Sequence, residues 1–365
     1  MRKLKWYAVC FFIIVLFFPC IASESEESWR VLSQAWIAFE HNNPGEALHL
    51  CEKARQIHRD KNQFMRNELA NSLIPMQVKK EKDDLSAIRS VLLERNDVTA
   101  ITILDSIFLT NPPSSFSNSM SAVLKWLEIR GVYPEADYLT GRIYELEGEV
   151  SLALNYYQKA LNNYEVMDIP EERFTILYRM ADLSQFSGNT GLMENYLLRI
   201  VSEDSVYSQT KPLTPMLSAM LRTLDTEKTS DKFFLLYRHN YLKGLLAYQM
   251  LATYYYNKND FDNRALAASA LSSIISVTQL SAALNEYDFS WEYSSLKDLF
   301  TRIGKNSELK EWARSAGVWD SFLLFGKILI RSDMREQGRH VWSVIAAYCP
   351  EKDIALEAST LLSKD

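Results

Sequence analysis

Apolar side chains recur every three to four positions along most of this chain, and sustained strand-type alternation is nowhere evident. The residues that interrupt the pattern fall between helical blocks: Asn111-Pro112-Pro113-Ser114-Ser115, Asp168-Ile169-Pro170, the stretches 210–215 and 225–231, and Pro350. Glycine and proline are scarce, 11 and 10 among 365 residues, so little of the chain is set aside for turns. The pattern predicts an all-α chain of many short helices. The stretch 136–161 is patterned most sharply. There the small residues Gly141, Gly148, Ala153 and Ala160 sit among the large Tyr144, Leu152 and Tyr157. Two short antiparallel helices in close contact need that arrangement. Gly141 and Ala153 let the axes approach, Tyr144 and Tyr157 fill the flanks, and Gly148 takes a positive φ at the turn.

With this pattern, 136–161 resembles a tetratricopeptide (TPR) repeat, and further copies appear when the pattern is slid along the chain. Near the start, Ala35, Ala38, Ala47, Cys51 and Ala54 keep the spacing around a turn at Asn42-Asn43-Pro44-Gly45. Ile88, Val91, Ala100, Leu104, Ile107 and Pro112 do so around Arg95-Asn96-Asp97, and Leu177, Ala181, Gly188, Met193, Leu197 and Ile200 follow. The region 243–275 fits loosely through Tyr248, Ala252 and Tyr255. A last copy, 319–350, has Phe322, Gly326, Leu329, Gly338, Trp342, Ile345 and Pro350 around Arg331-Ser332-Asp333. The alanines at 47, 100 and 153 are 53 apart, not the ~34 of an ideal array. An additional helix between the early copies would explain this.

The resemblance implies a TPR-like α-solenoid of stacked antiparallel helix pairs, with irregular inserted or capping helices where 113–135, 203–235 and 280–310 match no copy. Its stability would come from the interfaces between neighbouring pairs. The expected organisation is degenerate pairs over 24–112, central copies over 113–202 with the strongest at 136–165, and a C-terminal helical region over 203–365.

The first 23 residues read as a targeting segment. Arg2, Lys3 and Lys5 precede an almost wholly apolar run from Trp6 to Ile21, and Ala22-Ser23 offers small residues for cleavage. The run is short of the ~20 residues a bilayer span needs. A cleaved secretory signal is expected, with an uncleaved anchor through 6–21 or a lipid-modified Cys20 as alternatives. The protein would then be exported, periplasmic or secreted.

Removing that segment takes away three of the 40 basic residues and none of the 46 acidic ones. An acidic body argues against nucleic acid or an anionic membrane as the main partner. The densest basic run, Lys79-Lys80-Glu81-Lys82, is broken by Glu81 and followed by Asp83-Asp84, as on a solvated helix face. Cys51 and Cys349 would remain, far apart in sequence and within apolar helical patterns, so buried unpaired thiols are expected.

No local signature of catalysis is present. His41, His49, His58, His239 and His340 show no metal-ligand spacing, and no nucleophile elbow, phosphate loop or Cys-x-x-Cys occurs. No cofactor or metal is expected. Glu145, Glu147 and Glu149, and Asp260 with Asp262, crowd turns where capping and the helix dipole favour acidic residues.

Aromatics are the remaining candidates, with 19 Tyr, 17 Phe and 8 Trp. Tyr254-Tyr255-Tyr256 cannot all face one core, which makes Tyr254 and Tyr255 candidates for a binding groove beside the simpler role of packing between helix pairs. The resemblance places Tyr138 and Arg142 on the concave side of a first helix, with Leu32 and Trp36 in the matching places of the first copy. These positions lack the Lys and Asn with which TPR proteins clamp a chaperone's carboxylate. The reading that follows is a non-enzymatic, exported scaffold holding a protein or peptide partner, as part of an envelope-assembly or transport complex. The alternatives are a helical cup for a small apolar ligand, partnering a transporter, and an enzyme on a helical scaffold.

Overall fold

The computed structural model describes residues 27–75, 83–110, 118–207, 214–258 and 263–364. The expected targeting segment, the Lys79–Lys82 run, Pro112, Asp260 and Asp262 lie outside the described residues. All the elements found are helices, and no strand occurs among the described residues. The chain divides into two units, 1–173 and 174–365. The boundaries expected at 112 and 202 thus fall inside units.

In the first unit the helices are α1 (Ser28–Glu40), α2 (Pro44–Leu73), α3 (Leu85–Glu94), α4 (Val98–Thr110), α5 (Met120–Ile129), α6 (Pro134–Leu146) and α7 (Val150–Asn162). The second begins within α8 (Glu172–Phe186). It continues through α9 (Thr190–Val201), α10 (Pro215–Thr226), α11 (Asp231–Leu236), α12 (Leu245–Asn257) and α13 (Arg264–Tyr287). Then come α14 (Leu296–Lys305), α15 (Ser307–Ser315), α16 (Val318–Arg331), α17 (Arg335–Tyr348) and α18 (Lys352–Lys364).

Five helix pairs are joined by turns of the same geometry. Asn42, Asn96, Gly148, Gly188 and Asp333 each have a positive φ, between 55° and 78°. In every case the next residue's N–H donates to the carbonyl five positions back: Asn43 to Ala38, Asp97 to Leu92, Glu149 to Tyr144, Asn189 to Ser184 and Met334 to Leu329. This satisfies a carbonyl that the helix end leaves open and reverses the chain within a few residues. Only glycine, or Asn and Asp with their short polar side chains, takes that backbone conformation readily.

The same register fixes the closest approach of each pair. The residue seven before the turn residue faces the one nine after it. These are Ala35 and Cys51, Gly141 and Tyr157, Ala181 and Leu197, and Gly326 and Trp342, all buried or enclosed. A β-carbon on Gly141 would lie 2.6 Å from the Tyr157 ring, and one on Gly326 would overlap the Trp342 indole. Tyr157 therefore covers Gly141 directly, a correction to its expected place on the flank; Tyr144 instead stacks on Tyr156, centroids 5.5 Å apart. In the α3–α4 pair the two positions are Arg89 and Asp105, joined at 3.1 Å. Ala100 lies one residue out of register with Ala47 and Ala153, so the 53-residue alanine spacing is not a structural period. The first interval is filled by the 30 residues of α2, and the second holds the additional helix, α5.

Helix α2 organises the first unit. Its N-terminal half packs Ala47, Cys51 and Ala54 against Val31, Leu32 and Ala35 of α1 and Ala136, Leu139 and Ile143 of α6. Its C-terminal half brings Leu69 to a second core with Leu92 of α3, Leu104 of α4 and Val123 of α5. In the second unit α13 takes the central place, packing against α12 and α16. With a mean hydropathy of 1.4 it is long and apolar enough to cross a membrane, but 83% of its apolar stretch is buried within the unit. Gly338 and Trp342 close the α16–α17 contact, where the indole N–H donates to the Leu323 carbonyl at 3.1 Å. Pro350 separates α17 from α18.

Candidate functional site

A groove of about 730 Å³ opens in the second unit, where the α8–α9 pair and the first helices of two further pairs, α12 and α16, come together with α18. Gln185 of α8 and Thr190 and Met193 of α9 form one wall, and Asp320, Ser321, Leu323, Leu324 and Lys327 of α16 form the opposite one. Gln249, Met250, Thr253, Tyr254, Tyr256 and Asn257 of α12 run along the floor, and Glu357 of α18 closes the end. Helical periodicity creates this mixture. Positions 249, 253 and 257 fall on one line of α12, and 250 and 254 on the next. Gln249 is held by donating to the Ala316 carbonyl at 2.9 Å, next to Gly317, whose φ is +61°. Lys258 Nζ donates to the Tyr254 hydroxyl at 2.8 Å, and Lys327 pairs with Glu357 at 2.8 Å.

Of the six aromatic, Leu and Arg groove candidates, only Tyr254 lines this site with an accessible ring. Tyr255 is buried, and its hydroxyl donates to Glu194 at 2.8 Å, so it belongs to the core of its helix pair. Of the four candidates in the first unit, Trp36 and Tyr138 belong to one group of tilted rings with Tyr157. Leu32 is buried between α1 and α2, and Tyr138 is 8% exposed, with ring centroids 6.2 Å from Trp36 and 5.8 Å from Tyr157. Leu32 and Tyr138 are thus packing residues, a correction to their expected groove role. Trp36 is half-buried, and Arg142 lies over the Phe39 ring at 5.5 Å and 3.9 Å from Glu145. Residue spacing could not have found the groove walls at 185, 320 and 327, because they come from helices distant in sequence.

Three histidines sit in half-buried polar clusters. His58 stacks on Tyr133, centroids 4.3 Å apart, with its Nε2 2.6 Å from the Arg130 carbonyl; burial holds its pKa below the usual value. His239 Nε2 lies 2.7 Å from Asp204 Oδ2, which also accepts from Tyr248 at 2.6 Å. His340 has Nδ1 3.1 Å from Ser230 Oγ and Nε2 3.4 Å from Asp231. That last trio has the residue types of a nucleophilic triad. However, Ser230 is fully buried at the start of α11 and its own backbone N–H lies 3.3 Å from His340 Nδ1. The arrangement braces α11 against α17 and offers a substrate no approach. No group of three or more metal-ligating side chains occurs among the described residues. Cys51 is buried and Cys349 half-buried; both are free thiols, pushed up to about 11 by burial.

The fold is that of an all-helical protein built largely of paired helices joined by short left-handed turns. No known family model matches the chain. It belongs to the same family as an uncharacterized protein of Treponema pallidum (strain Nichols), to which it is 34% identical over 338 residues, covering 93% of this chain and 90% of that protein.

Proposed function

We propose that this protein is a non-enzymatic, TPR-like scaffold of the cell envelope that holds a segment of another protein in the groove of its second unit. One observation carries the reading: the groove is lined by three helix pairs at once, by Gln185, Thr190 and Met193 of the α8–α9 pair and by α12 and α16, the first helices of two further pairs. In a stack of helix pairs such helices share one face, where a ligand can touch several pairs at once. The shared turn geometry and the small-to-large register of the pairs support the TPR-like reading. Export rests on the basic-then-apolar start of the sequence.

A photo-crosslinking residue placed at the exposed Thr253 in cells tests the proposal, with Phe289, which is 94% exposed and outside the groove lining, as control. A stoichiometric protein adduct at 253 and none at 289 is the expected result. Equal labelling at both positions would overturn it. The groove volume also falls within the range of small-ligand sites, so an apolar molecule copurifying without any protein adduct would transfer the reading to a ligand-binding cup.

A further inference from the structure

We infer that the groove of the second unit takes an extended peptide segment that carries a lysine or arginine opposite Asp320, with an apolar side chain seated on Met250 and Tyr254. This deepens the proposal that the groove holds a protein segment and rests on it.

The charges of the groove point to the cation. Lys327 is neutralised by Glu357 at 2.8 Å, whereas the exposed Asp320 has no ion-pair or hydrogen-bond partner among the described residues. Among the charged residues that line the groove, Asp320 alone has no counter-charge in contact, while Lys258 sits at the far side on the Tyr254 hydroxyl. In water that carboxylate is well solvated, but once a ligand covers it, a cationic partner is needed to offset the lost hydration. The whole chain has a formal charge of −6, which makes a second acidic copy a poor occupant.

The floor of the groove points to a peptide main chain. Gln249, Thr253 and Asn257 lie four residues apart on α12, beside the apolar line of Met250 and Tyr254. Gln185 and Asn257 have no side-chain hydrogen-bond partner among the described residues. A side-chain amide presents one acceptor and two donor hydrogens, which match the C=O and N–H groups of an extended chain. A purely apolar ligand would leave these amides and Asp320 desolvated and unpaired, at a cost. Gln249 and Thr253 already donate to the Ala316 and Gln249 carbonyls, so a peptide with alternating side chains pairs with the open amides of Gln185 and Asn257 and places one apolar group on the Met250–Tyr254 line.

Selection of a displayed random peptide library against the purified full-length protein tests the inference. The expected result is a motif with Lys or Arg at a fixed distance from an apolar residue. Asp320→Asn should weaken the selected peptide about tenfold, and Asp320→Lys should select Asp or Glu in place of the cation. Thr253→Trp, at an exposed floor position, should abolish binding without lowering the melting temperature. Peptides that Thr253→Trp blocks but whose motif Asp320→Lys leaves unchanged would overturn the inference and leave the groove reading standing. Selected peptides that Thr253→Trp does not affect, or no enrichment at all, would overturn both.

Discussion

The ring of Tyr157 lies directly against the backbone of Gly141, and a β-carbon at 141 would come within 2.6 Å of it. Trp342 meets Gly326 at the same register in the α16–α17 pair. In both pairs a large ring on the second helix occupies the space that a missing side chain leaves on the first. Gly141→Ala should therefore destabilise the protein by about 1–3 kcal/mol, because overpacking outweighs alanine's better helix propensity. Gly304→Ala is the control: its β-carbon would meet nothing within 4 Å, and it should be neutral or stabilising by up to about 1 kcal/mol. Chemical denaturation followed by circular dichroism measures both, and equal effects would rule out the close-contact account.

The turn residues predict a second contrast. Gly148 has φ +78° in open space, so Gly148→Ala should cost about 1 kcal/mol from backbone strain alone. Asp333, with φ +64°, already bears that strain, and Asp333→Gly should be neutral or slightly stabilising in the same assay.

Tyr138→Ala should destabilise the first unit by about 3 kcal/mol, since it removes a buried ring packed between Trp36 and Tyr157. Arg142→Ala, at a partly exposed site, should change stability by less than about 1 kcal/mol. A lowered melting temperature for Tyr138→Ala, whatever its effect on partner binding, is what separates packing from a groove role.

Arg55 donates to Asp137, Thr140 and the Ala136 carbonyl, and the side chains of Arg55 and Asp137 are each 14% exposed. Burial pushes the Asp137 carboxyl above its ordinary range, and Arg55 opposes that shift. Arg55→Ala should cost about 3 kcal/mol at pH 8 by leaving the carboxylate buried and unpaired. A raised carboxyl pKa in the folded state favours unfolding as pH rises, so the loss should shrink toward pH 5. Arg55→Ala with Asp137→Ala should recover part of it; a pH-independent loss with no recovery would refute the coupling.

Asp204 has the opposite sign. Burial alone would raise its carboxyl, but hydrogen bonds from His239, Tyr248 and the Val206 N–H hold it below the ordinary range. Its stabilisation is then fully present above the unfolded value of about pH 4 and is lost as pH falls through the lower folded value. Asp204→Asn should flatten the acid limb of the stability curve below about pH 4. An unchanged acid limb would show that Asp204 does not carry this dependence.

Much of the local structure was legible in the chain itself. Apolar spacing and the scarcity of breakers determined an all-helical protein, because a half-buried helix needs that periodicity to pack. The turns at 42–45, 95–97, 148 and 331–333 could be read because few residue types tolerate a left-handed backbone. Gly141 and Gly326 were likewise visible as small residues among large ones, but that the Tyr157 ring covers Gly141 was not. Tertiary structure decided the rest. It placed Leu32, Tyr138 and Tyr255 in the core, joined Asp204 to His239 and Ser230 to His340, and gave α2 two separate cores to serve. It also assembled the groove from Gln185, Gln249 and Asp320. Periodicity says which face of a helix is apolar, but a groove is made by the distance between helices, and no single helix encodes that distance.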